Sequence, residues 1–131
     1  MRPEHMSLAA VTDGAATSGV LAMKGDLIYG SAASIRIPRG LALKIWSKHI
    51  NGADVSVSTE FTRDIEADTV VWETIAVDAF DADVEGDRNI EKRRPLLFRG
   101  LTGDEAVRFS YTQDTAGVSS VEINVEFGEI Q

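Results

Sequence analysis

DVSVSTEFT, residues 54–62, decides the fold. Val55, Val57, Thr59 and Phe61 alternate with Ser56, Ser58 and Glu60, the period of two that sends successive side chains to opposite faces of a strand. A helical period would mix the valines with the serines on one face. The run predicts a strand with one face in a core and the other in water, the pattern of antiparallel sheets.

Working outward, SIRI (34–37) leads into Pro38, Arg39 and Gly40, which punctuate a turn. LALKIW (41–46) puts Leu41, Leu43 and Ile45 on one face and leaves Trp46 out of phase, so Trp46 is expected to face outward. Asn51-Gly52 is the strongest short hairpin signal in the chain and predicts that this strand turns back into residues 55–61. TVVWETIAVDAF (69–80) reads as a Val-rich strand with Trp72 in the core, and RRPLLFRGL (93–101) carries a shorter apolar run. AVRFSYTQ (106–113) alternates through Val107, Phe109 and Tyr111, and SVEINVEFGEI (120–130) through Val121, Ile123, Val125 and Phe127. Gly117 between these two runs predicts a C-terminal hairpin, and TGDEA (102–106) offers the cap and start of one helical turn.

About six or seven short strands, with turn signals roughly every 8 to 15 residues and no long helical period, predict an all-β chain. The expected architecture is an antiparallel β-sandwich, jelly-roll-like. About half of residues 1–34 are Ala, Gly, Ser or Thr, so they are expected to form a flexible or extended N-terminal arm with at most short strands. Residues 35–131 are expected to form a single sandwich domain. The length of 131 residues suits one core.

The net charge of -8 argues against a protein that neutralises phosphates, so no nucleic-acid partner is expected. The chain has no cysteine, which removes disulfides, thiolate nucleophiles and Cys-ligated zinc. Asp13 and Gly14 interrupt the N-terminal apolar residues, so no signal peptide is expected. Other apolar runs are strand-length, and a soluble protein without a membrane partner follows as an expectation.

DAFDADVEGD (78–87) holds five acids in ten positions: Asp78, Asp81, Asp83, Glu85 and Asp87. Asp81, Asp83, Glu85 and Gly86 match the start of an EF-hand loop, where hard oxygen ligands and a sharply turning glycine suit calcium. The pattern then fails, because Lys92 stands where the closing bidentate glutamate belongs and Arg88 where an apolar residue belongs. The expected reading is a solvated loop with no cofactor, and the five acids stay as calcium candidates. EKRRP (91–95) follows directly, so Arg93 and Arg94 are candidates for a contact with another subunit, as is Trp46. His5 and His49 belong to no catalytic motif, the glycines match no nucleotide-binding loop, and no catalytic residue is assigned.

A small-residue arm leading into a cysteine-free sandwich without a catalytic constellation resembles the small all-β structural proteins of virions, the capsid or decoration proteins of phages and archaeal viruses. No family motif carries the likeness. It implies a non-enzymatic structural protein that self-assembles or coats a larger protein lattice, with a homotrimer as the unit and the virion as its place. The alternative is a carbohydrate-binding or calcium-dependent β-sandwich binding module.

Overall fold

The computed structural model describes residues 4–11, 18–24, 29–31, 33–51, 55–80, 89–113 and 120–129. They contain eleven strands: β1 (Glu4–Val11), β2 (Ser18–Val20), β3 (Ala22–Lys24), β4 (Ile35–Arg36), β5 (Leu41–Asn51), β6 (Val55–Thr62), β7 (Glu73–Phe80), β8 (Asn89–Lys92), β9 (Leu96–Arg99), β10 (Ala106–Thr112) and β11 (Ser120–Glu129). One sheet runs β3-β1-β11-β5-β8, with β9 also paired to β5, and the other runs β2-β10-β6-β7, with β4 also paired to β10. Every pairing is antiparallel. The chain is thus all-β and antiparallel, as its alternation predicts.

The core lies between the two sheets. Leu43 and Ile45 of β5, Val55 and Val57 of β6, Val107, Phe109 and Tyr111 of β10, and Val121, Ile123, Val125 and Phe127 of β11 form one buried cluster. These are the inward residues that period two selected. Each fully buried side chain of this size is worth about 1.5–3 kcal/mol of transfer free energy, so the alternating strands carry most of the stability.

Both expected hairpins are corrected. β5 pairs with β11, β8 and β9, whereas β6 pairs with β10 and β7, so the chain passes from one sheet to the other around Asn51. The same holds for β10 and β11, which lie in opposite sheets. The turn residues themselves, Gly52 and Gly117, lie outside the described residues, and a turn signal in the sequence does not say whether the next strand lies beside the first or opposite it. Strands with strong inner faces are served equally by packing across the core.

The first 34 residues supply β1, β2 and β3, and β1 pairs with β11 along all eight of its residues, from Glu4↔Phe127 to Val11↔Ser120. Leu21 and Met23 join the core cluster. This segment is therefore woven into both sheets, and the division at residue 34 does not separate an arm from a body. No helix forms at 102–106. Instead Glu105 folds back on the loop, and its carboxylate accepts hydrogen bonds from the amides of Leu101 (2.8 Å), Thr102 (3.2 Å) and Gly103 (3.0 Å). The sequence signal for amide capture was sound, and the amides belong to a turn.

Gly100 locks that turn to the rest of the sandwich. Its amide donates to Leu41 O at 2.8 Å and its carbonyl accepts from Gly40 N at 2.9 Å. A Cβ at this position would collide with the carbonyl oxygens of Pro38 and Ile37, so only glycine permits the approach.

Candidate functional site

The side of the sandwich where β7 and β9 lie gathers the features that packing alone does not explain. Its origin is a break in β5. Ile45 opposes Val125 and Ser47 opposes Asn124, so Trp46 is an extra residue on one strand, a β-bulge. Beyond the bulge the inward phase passes from odd to even positions, and Lys48, opposite Ile123, turns into the core. Trp46 itself is half-buried with its indole nitrogen enclosed, rather than standing clear of the sheet. The off-phase tryptophan in the sequence was the mark of the bulge.

Lys48 is 1% exposed, and its ammonium lies 2.7 Å from Oδ2 of Asp78, which is 4% exposed. Asp78 sits on β7 in the inward row with Ala76 and Phe80, so this ion pair spans the two sheets. The outward row of β7 is apolar and open, with Ile75 44% and Val77 50% exposed. An isolated buried charge is costly, and removal of one partner typically costs about 3–5 kcal/mol, so the pair fixes where β7 lies against β5. Arg94 Nε approaches Oδ1 of the same carboxylate at 3.6 Å from its exposed position.

Asp78, first of the five calcium candidates, is thereby committed to Lys48 and Arg94. Asp81, Asp83, Glu85 and Asp87 lie outside the described residues. Among the described residues no three acidic or histidine side chains come together as a metal site would require. Arg93 Nε lies 3.0 Å from Glu91 Oε1, the same oxygen that His49 Nε2 approaches at 3.1 Å. The basic run EKRRP thus makes ion pairs within its own chain. Trp72 precedes β7 and is half-buried, with the Arg108 guanidinium 4.4 Å from its ring centroid and Arg108 Nε 2.7 Å from Glu60 Oε1. It lies outside the core cluster that its Val-rich surroundings suggested.

Among the described residues β7 pairs with β6 on one side and with no strand on the other. It is an eight-residue sheet edge. Natural edges are commonly guarded by lysine, proline or charge on the exposed face. From Ile75 to Phe80 the strand carries one charged residue, Asp78, and that residue points inward to Lys48.

At the end of the sandwich where β6 stops, Phe61 stacks on Phe98 of β9 across the two sheets, with centroids 5.4 Å apart and planes inclined by 21°. Beside them opens a cleft of about 480 Å³ lined by Phe61, Arg63, Leu97, Arg99 and Leu101, with the Glu105 turn at its rim. Burial raises the affinity of the Glu105 carboxyl for its proton, but hydrogen bonds from the amides of Leu101, Thr102 and Glu105 itself, and from the Thr102 hydroxyl, outweigh it. The group is held below the ordinary glutamate range. Opposite, Arg36 binds the Gly103 carbonyl, Glu66 and Asp104 at 2.6–2.7 Å, which fixes the far side of the turn.

No protein-family model matches the chain, and no curated protein matches it in sequence. Solved structures similar to it include murine APRIL at pH 8.0, with a TM-score of 0.54 and 11% identity over 97% of this chain and 100% of that one. The CBM22-1 xylan-binding domain of Paenibacillus barcinonensis Xyn10C gives 0.47 and 10%, over 98% and 86% of the two chains. The virus-like particle of the Macrobrachium rosenbergii extra small virus gives 0.33 and 9%, over 99% and 80%. The first of these speaks for the fold, an antiparallel β-sandwich of the jelly-roll kind.

Proposed function

We propose that this protein is a non-enzymatic structural protein that self-assembles or coats a larger assembly, and that β7 is an edge through which copies meet. The observation that carries this reading is the open edge of β7 with Ile75 and Val77 exposed beside it. Unpaired backbone groups flanked by apolar side chains form a template for another strand, and β-augmentation is the recognition mode that uses it. The Lys48–Asp78 pair supports the reading because it holds the edge in place without putting charge on its outer face. A virion coat component, with a homotrimer as its unit, is the specific form of the proposal.

A carbohydrate- or calcium-dependent module is the competing reading. Arg108 over the Trp72 ring and the commitment of Asp78 to Lys48 both weigh against it. Native mass by light scattering, with chelator and with millimolar calcium, tests the choice. The proposal predicts an oligomer or particle whose mass is indifferent to calcium and falls to that of a monomer in Val77→Lys, with the thermal midpoint little changed. A wild-type monomer in both conditions, or a mass set by calcium, would overturn it.

A further inference from the structure

The geometry points to the cleft between β6 and β9 as a docking groove for an extended acidic segment of a partner polypeptide, one that interleaves carboxylates with apolar side chains. The first observation is charge. In a chain of net charge -8, Arg36, Arg93, Arg94 and Arg108 each lie against a carboxylate. Arg63 and Arg99, on opposite walls of the cleft, have no such partner among the described residues. The acid in the lining, Glu105, is saturated by the amides of its own turn and does not neutralise them. Two unpaired guanidinium groups over an apolar floor are complementary to carboxylates, which arginine binds in a two-pronged geometry.

The second observation is shape. The cleft of about 480 Å³ shares Phe61 and Arg63 with a smaller trough of about 170 Å³ whose lining includes Asp64 and Glu73. That trough carries the carboxylates of Asp64 and Glu73, so the groove for an acidic segment is the larger cleft alone, whose apolar walls and two guanidinium groups suit a short extended stretch. Its flanks carry Leu97 and Leu101, 58% and 67% exposed, which a bound segment would cover. The third is the wall itself. β9 pairs with β5 on one side and with no strand on the other among the described residues, so its backbone is available to a peptide laid along it. Carboxylates on one side of such a peptide meet Arg63 and Arg99, while apolar side chains on the other reach the Phe61–Phe98 stack.

This surface is separate from the outward row of β7, and its test is independent of the assembly proposal. An array of short peptides interleaving Glu or Asp with Leu, Val or Phe, and a matched array with Gln and Asn, would be titrated against the full chain by fluorescence anisotropy. The same titrations would be run on Arg63→Ala/Arg99→Ala, Leu101→Ser and Val77→Lys. All of these substitutions lie at exposed positions, and circular dichroism melts would check that each variant folds. The inference expects acidic peptides to bind, amide peptides to bind about tenfold or more weakly, the double arginine variant to lose a similar factor, and Val77→Lys to bind as wild type. It is overturned if no acidic peptide binds or if binding is indifferent to the two arginines.

Discussion

β11 and β7 are both long antiparallel strands with an alternating pattern, and they serve opposite ends. β11 has β1 on one side and β5 on the other, and it buries Val121, Ile123, Val125 and Phe127 without a gap. Among the described residues β7 has one neighbour, exposes Ile75 and Val77, and contributes to the interior a row of Ala76, Asp78 and Phe80 that includes a charge. The interior strand is held by apolar area. The edge strand is held by register with β6, by Phe80 in the core cluster and by the Asp78 carboxylate, which meets Lys48 across the sheets and Arg94 beside it. The difference separates a strand held mainly by buried apolar area from one that, in the reading proposed above, offers its outer row to another copy.

That contrast is open to attack from several directions, and the largest expected effect is on the interior. Phe127→Ala should cost about 3–5 kcal/mol, lowering the chemical and thermal midpoints together, because it empties a site at the centre of the cluster. Lys48→Ala should cost nearly as much, about 3 kcal/mol, by leaving the buried Asp78 carboxylate with only its longer contact to Arg94. The double change Lys48→Met/Asp78→Leu should recover most of that loss in denaturant titrations. A Lys48→Ala protein as stable as wild type would mean that the two sheets do not depend on this pair.

Glu105→Gln should be milder, about 1–3 kcal/mol at neutral pH, since one carboxylate serves several amides of the turn. Its pH dependence carries the sign. The folded-state carboxyl is held below the ordinary range, so its contribution is present above the unfolded value and is lost as pH falls through the folded one. Urea midpoints of wild type and variant should therefore converge on acidification, and a constant gap would contradict the hydrogen-bonded cage. The smallest effect on stability, within about 0.5 kcal/mol, is expected for Val77→Lys on the exposed row, where the consequence is loss of association.

The inner faces were legible in the sequence because period two is a local property: Val55 and Val57, Val107 through Tyr111, and Val121 through Phe127 were each readable from a few neighbours. What pairs with what was not. Asn51-Gly52 is a local turn signal, and whether β6 lies beside β5 or across the core is settled by long-range packing that no local residue encodes. The bulge hid Lys48 in the same way. A lysine two places past an off-phase tryptophan looks solvated until one residue is removed from the count, after which Lys48 falls on the inward row, opposite the inward row of β7 that holds Asp78. Trp46 was the visible trace of that shift, and it signalled a register step where it had suggested a contact surface. The cleft was the least legible feature, because Phe61, Arg63, Arg99 and Leu101 come together only once the edges of both sheets are in place.

Backbone hydrogen exchange, followed residue by residue across a range of protein concentrations, tests the central claim most directly. The account predicts that amides within residues 73–80 gain protection as association proceeds, while those of β11, already bonded on both sides, do not change. Exchange in β7 that stays the same while the mass rises would place the contact elsewhere and contradict the role assigned to this edge.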